Sequence, residues 1–301
     1  MNFLVNSTGP RAQGLERLSQ DVLSIIATHT GKVDPRGTTK LMKVSPKFCV
    51  AVAEAKPNAA VTANCEFPHG QGLLERLNSM SAKTSLTELC LRGCNLKVEG
   101  GCLLAIFLRE NTTLVKLDVS KNSLGKIGGI AVADAVSRHS AILEFNVSRN
   151  SMGLHDAGMA AGKAFASLLQ NNSTLTCLDI SFNALQKNAV HDVILQLTPS
   201  TPNANHTLSQ LNLSGNILFG YDGNLDIAEM IEKNQTLANL SLEKTNITST
   251  GVYNLIHAMR SNTKVKLNLC SLRWTGTPSQ WQDMLQTLEP TLRSRVQISK
   301  V

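Results

Sequence analysis

Aromatic residues make up only 4% of this 301-residue chain, and no uninterrupted apolar run approaches the ~18 residues that span a bilayer. A membrane-crossing helix is therefore not expected, and stacking platforms for bases are scarce. Concentrated charge is missing too. The formal excess is +7, from 29 Lys and Arg against 22 Asp and Glu, yet no stretch collects it. Residues 1–80 hold 9 basic and 6 acidic residues, residues 81–270 hold 16 and 14, and residues 271–301 hold 4 and 2. Nucleic-acid binding gathers positive charge on one face, so nucleic acid is not an expected partner. The cysteines, 7 in all, lie at irregular intervals behind no secretory leader, a pattern that predicts reduced thiols and a cytoplasmic location.

The common signatures of chemistry are missing as well. There is no P-loop, no G-x-S-x-G, no H-E-x-x-H and no G-x-G-x-x-G opening a helix after a strand. Cys90 and Cys94 are close in sequence, but strand alternation sends the first outward and the turn sends the second inward, which prevents them from sharing a zinc ion. Asp222, Asn224 and Asp226 begin like a calcium loop, but Ile227 and Lys233 stand where Gly and Glu are required. Asp226 followed by Glu229 reads instead as a helix capping box. The expectation is a protein with no catalytic residues, metal, cofactor or small-molecule ligand.

What the chain does have is a repeated phrase. LTELCLRGCNL from Leu86 returns as LVKLDVSKNSL from Leu114, ILEFNVSRNSM from Ile142, LTCLDISFNAL from Leu175, LSQLNLSGNIL from Leu208 and LANLSLEKTNI from Leu237. The first positions step by 28, 28, 33, 33 and 29 residues. Within each phrase the central residues alternate apolar and polar, the mark of a short strand with one buried face. The ninth position holds Cys94, Asn122, Asn150, Asn183, Asn216 and Thr245, small groups expected to turn inward and satisfy backbone left unpaired by the bend. Between strands, segments such as those starting at Gly100, Gly128, Ala157 and Thr250 have helical spacing, and in most units an Asn stands three residues before the next strand phrase: Asn111, Asn172, Asn205, Asn234 or Asn262.

The template L-x-x-L-x-L-x-x-N/C-x-L resembles the leucine-rich repeat. The 28-residue period, the helical return and the N-x-T-L entry to the strand resemble its ribonuclease-inhibitor-like class. That resemblance implies an α/β solenoid, a horseshoe with a concave parallel sheet and outer helices, that works as a non-enzymatic protein scaffold within a larger assembly. Relatives in the class activate a Ran-type GTPase, although with a strongly acidic tail where this chain ends basic, or are built into cytoskeletal and axonemal assemblies such as the dynein regulatory complex. These imply, as alternatives, a GTPase activator or a cytoskeletal or flagellar component.

Three regions are expected. Residues 1–57 form an N-terminal helical cap or arm, with helices over 12–28 and 48–55. Residues 58–275 form the solenoid, of which 58–85 is a degenerate first repeat, and residues 276–301 form a C-terminal helical cap and a tail that is disordered or held by a partner. Outward strand positions supply the candidate partner-binding residues: Lys116, Asp118, Glu144, Asn146 and Asp179, with a further outward column at Arg92, Ser120, Ser148, Ser181, Ser214 and Glu243. At the rim stand Lys121, Arg149 and Phe182, the last an exposed ring suited to anchoring. Two elongated loops, 198–206 and 217–224 with Phe219 and Tyr221, are read as one projecting edge that a protein partner touches.

Overall fold

The computed structural model describes residues 59–62, 72, 73, 77, 86–154, 158–218, 225–272, 277–288 and 290–300. The expected N-terminal helices, Phe219 and Tyr221 fall outside these residues.

Among the described residues nine strands form one parallel sheet in strictly sequential order. They are β1 (Ala59–Thr62), β2 (Leu86–Cys90), β3 (Lys116–Asp118), β4 (Glu144–Asn146), β5 (Cys177–Asp179), β6 (Gln210–Asn212), β7 (Asn239–Ser241), β8 (Lys266–Leu272) and β9 (Val296–Lys300). The register is that of the repeated phrase. Leu89 pairs with Leu117, Phe145 with Leu178 and Leu211 with Leu240, and Val61 of β1 aligns with Leu89. Because side chains alternate across a strand, this alignment stacks every fourth-position residue into one buried row between sheet and helices.

The returns are helical: α1 (Lys97–Glu110), α2 (Gly125–Ser137), α3 (Met159–Asn171), α4 (Lys187–Leu195), α5 (Leu225–Lys233) and α6 (Ser249–Ser261). The first two begin about one turn before the glycines expected to open them. Those glycines serve packing instead. A Cβ on Gly101 would lie 2.8 Å from the Cα of Gly128, and one on Gly162 would lie 2.4 Å from the Cα of Ala189. Neighbouring helices thus approach backbone to backbone.

Two readings of the chain's later part are corrected. The tail is a strand: β9 pairs with β8, Val296 opposite Leu267 and Ile298 opposite Leu269. It is reached through α7 (Pro278–Thr287), started by a capping box of Thr277 and Gln280, and the short α8 (Pro290–Arg293). The expectation of a disordered or partner-held tail missed this because no Asn precedes the strand at the template position. The Arg295 guanidinium donates to the carbonyls of Asn262, Val265 and Met259, and so does the work of the missing amide. Asp226 is not a cap, since α5 already starts at Leu225. Its carboxylate accepts from the Ile227 amide at 2.8 Å and meets His191 Nδ1 at 3.0 Å.

Candidate interaction surface

Each unit runs along its strand to one edge of the sheet and back along its helix to the other, so the array has two distinct edges. Both must satisfy backbone groups that no ladder pairs. At the strand-to-helix edge the Nδ2 of Asn150 donates to the carbonyls of Val119, Val147 and Ser148, while its Oδ1 accepts from the amides of Asn122 and Leu124. Asn122, Asn183 and Asn216 repeat the pattern, and all four are buried. At the helix-to-strand edge Asn172 donates to the carbonyls of Val136 and His139 and accepts from Thr174 and Leu175. Asn205, Asn234 and Asn262 follow suit.

His139 stands in this second ladder where its neighbours have Asn. Its Nδ1 accepts from the amides of Ala141 and Ile142 at 3.2 and 3.3 Å, which requires the neutral ring. Nε2 is buried and turned toward the Asn111 backbone without closing a regular hydrogen bond. Burial holds the imidazole below its ordinary value of 6.5, more strongly than the Asn111 backbone raises it.

The predicted concave residues separate into two rows. In the outer row Lys116 lies between Glu144 at 3.2 Å and Glu88 at 4.0 Å. The hydrogen bond and charge of Glu144, then the charge of Glu88, raise its pKa above the usual lysine value. Beyond Glu144 the row turns uncharged at Cys177, Gln210 and Asn239. Burial first, then Glu144 and Asp179, push the Cys177 thiol up, so it stays protonated.

The second row is half scaffold. Asp118, Asn146 and Asp179 each accept from the amide two residues on, at 2.8, 3.0 and 2.9 Å. Asn146 Nδ2 reaches Asp118 at 3.4 Å, and Asn212 Nδ2 reaches Asp179 at 3.1 Å. These local turns carry the chain inward, so that Ser120, Ser148, Ser181 and Ser214 are buried. In the expected third outward column these four serines therefore do not reach the surface, whereas Arg92 at its start is exposed and Glu243 at its end is half-buried. Alternation predicted the column, but the strands end before it.

At the rim, Lys121, Arg149 and Phe182 occupy equivalent positions, each in the left-handed region (φ 58, 59 and 53). The amides of Lys121, Arg149, Phe182, Gly215 and Lys244 donate in turn to the carbonyls of Ser148, Ser181, Ser214, Glu243 and Cys270, so this row is continuous. Phe182 is half-buried. The Arg149 guanidinium sits 3.9 Å from its ring centroid, and a Cβ on Gly215 would fall 2.3 Å from the ring. The ring lies flat along the rim, held by its neighbours.

The two elongated loops lie on opposite edges. Residues 198–206 connect α4 to β6, whereas Ile217 and Leu218, the described part of the second loop, follow β6 on the side that leads to α5. They were read as one edge because both lengthen the repeat, but half a unit of chain separates them and each half-unit crosses the molecule. The residues around 198–206 form closed turns, with Asn205 donating its N–H to the Gln196 carbonyl at 2.6 Å.

Sequence position pointed to the rim through Lys121, Arg149 and Phe182 but missed Leu154, Met159, Ile217 and Leu225, which are exposed beside it. The signal was there. Leu154, Met159 and Leu225 stand past a phrase and Ile217 at the tenth position of one, where the template asks for no apolar residue.

Comparison with known proteins agrees with this architecture. A family model described as a leucine-rich repeat matches residues 110–133 and 171–190. No curated protein matches the sequence. Among solved structures, actin-binding site 2 of leiomodin-1 is similar at 15% identity, with 62% of this chain and 94% of that one covered and a TM-score of 0.44; so loose a likeness says nothing of partners here. From the phrases, the sequential parallel sheet and the matched repeats, the chain folds as an α/β solenoid of leucine-rich repeats.

Proposed function

We propose that this protein is a non-enzymatic scaffold of the ribonuclease-inhibitor-like type, which holds a protein partner against its concave sheet as part of a larger assembly. The observation that carries this reading is the outer concave row. Residues beneath it are uniform from unit to unit, whereas the row itself changes from Glu88, Lys116 and Glu144 to Cys177, Gln210 and Asn239. Mixed charge passing into neutral amides suits recognition of one protein surface, because like charges out of register are penalised. The row continues into an open cleft of about 440 Å³ whose lining includes Gln210, Asn212, Asn239, Asn268 and Gln297, side chains that both donate and accept, along with the charged Asp179, Lys266 and Arg295. Partner-binding residues are thus Lys116 and Glu144, with Asp118, Asn146 and Asp179 contributing the lone pairs that the scaffold leaves open.

The test is recovery of the tagged full chain from its native cell, beside a Lys116→Glu variant that leaves three acids in line. A partner recovered at one-to-one stoichiometry with the first and lost with the second is expected. If neither chain brings down a stoichiometric protein, the scaffold reading fails.

A further inference from the structure

The two edges differ in charge. Near the strand-to-helix edge the described residues include Lys97, Lys121, Lys126, Arg149, Lys187 and Lys244 against Glu99, Asp226 and Glu243. Two of those three acids are engaged locally, Asp226 with His191 at 3.0 Å and Glu243 with Lys244 at 3.4 Å. At the helix-to-strand edge the cations are taken up locally: Arg109 and Arg138 share Asp134, at 2.7 and 3.3 Å, Lys233 meets Glu229 at 2.7 Å, and Lys264 and Arg295 donate to backbone carbonyls. Rim cations that form no run in the sequence are lined up along the strand-to-helix edge by the fold.

Apolar surface gathers there as well. Leu154, Met159, Ile217 and Leu225 are 48%, 46%, 39% and 58% exposed. The stretches bearing them adjoin. A Cβ on Gly153 would meet the Ala184 carbonyl at 2.3 Å, and the Ile217 amide donates to Leu185 at 2.7 Å. Rim cations and exposed aliphatic side chains therefore share one ridge.

We propose that the strand-to-helix edge is a docking surface for an acidic protein segment that carries aliphatic side chains. This deepens the scaffold reading and rests on it, adding a second surface and the chemistry of what binds there. Charge complementarity selects an acidic partner, and the aliphatic groups select a protein. Single-stranded nucleic acid is held by stacking on open aromatic faces, but the Phe182 ring is already covered by Arg149 and abuts Gly215. A membrane surface calls for apolar groups on a coherent insertable face, whereas these four are each partly buried in their own unit.

The test measures binding of a fluorescein-labelled peptide repeating Glu-Leu-Glu-Glu-Leu to the full chain by fluorescence anisotropy. Tight binding to the wild type is expected, weakened by about tenfold or more in Lys121→Glu/Arg149→Glu/Lys187→Glu and weakened also in Leu154→Ser/Ile217→Ser. Lys233→Glu/Lys264→Glu on the opposite edge should bind as the wild type does, and circular dichroism should show all variants folded. No binding by the wild type overturns the proposal. So does equal loss from either edge, or displacement of the peptide by polyuridylate or phosphatidylserine vesicles more readily than by unlabelled peptide. A chain that ignores the peptide yet keeps a stoichiometric partner sensitive to Lys116→Glu would remove this inference and leave the scaffold function standing.

Discussion

The two edges of the solenoid solve the same problem with the same residue and then diverge. Each buries a ladder of asparagines that answers the unpaired backbone of a bend, Asn122, Asn150, Asn183 and Asn216 on one side and Asn172, Asn205, Asn234 and Asn262 on the other. Outside the ladders, one edge carries a left-handed, cationic row and exposed aliphatic groups, while the other engages its cations in ion pairs and backbone hydrogen bonds. Uniformity below and difference above separates what the fold requires from what it leaves free to vary.

The hardest test of that separation is to break both ladders. Asn150→Leu and Asn172→Leu each orphan several buried backbone groups, so each should cost about 3 kcal/mol in chemical denaturation of the full chain. A marked inequality between them would show that the edges are not equivalent underneath. A middle-sized effect is expected at His139, the ladder's irregular member. His139→Asn gives back the side-chain donor that its neighbours use and should gain about 1 kcal/mol at neutral pH. The gain should grow on acidification. Below the ordinary value of 6.5 the unfolded imidazole takes up a proton that the buried ring resists, so wild-type stability falls as pH drops from about 7 to about 5. Thermal midpoints at the two pH values should converge more closely in the variant than in the wild type.

The rim should respond least. Lys121→Gly relieves a left-handed residue (φ 58) and should raise stability by about 0.5 kcal/mol. Arg149→Ala loses its contact over Phe182 and should cost about 0.5 kcal/mol, read by the same denaturation series. If Arg149→Ala cost as much as Asn150→Leu, the division between ladder and surface would collapse.

Periodicity made the sheet, its register and the buried turn asparagines legible, because those features repeat. What it concealed were departures that only space reveals. Ser120 and its equivalents look outward by alternation, but the Asp or Asn two residues earlier captures their amides and curls the chain inward. Strand β9 was hidden because no Asn precedes it at the template position; Arg295, directly before Val296, supplies the donors from the strand itself. The candidate partner residues Lys116, Glu144, Lys121 and Arg149 were found because the template does not dictate them. The charge asymmetry between edges was not, since residues such as Lys187 and Lys244 are far apart along the chain and meet only across stacked units.

Both asparagine ladders point the same way. Each side chain serves the unit before its own: Asn150 completes the turn at Asn122, Asn183 that at Asn150, and Asn172 the helix end at Val136. A nascent chain therefore cannot finish any turn until the following one has been synthesised. Maturation must lag translation by about one unit, and the helix end at Met259 likewise waits for Arg295.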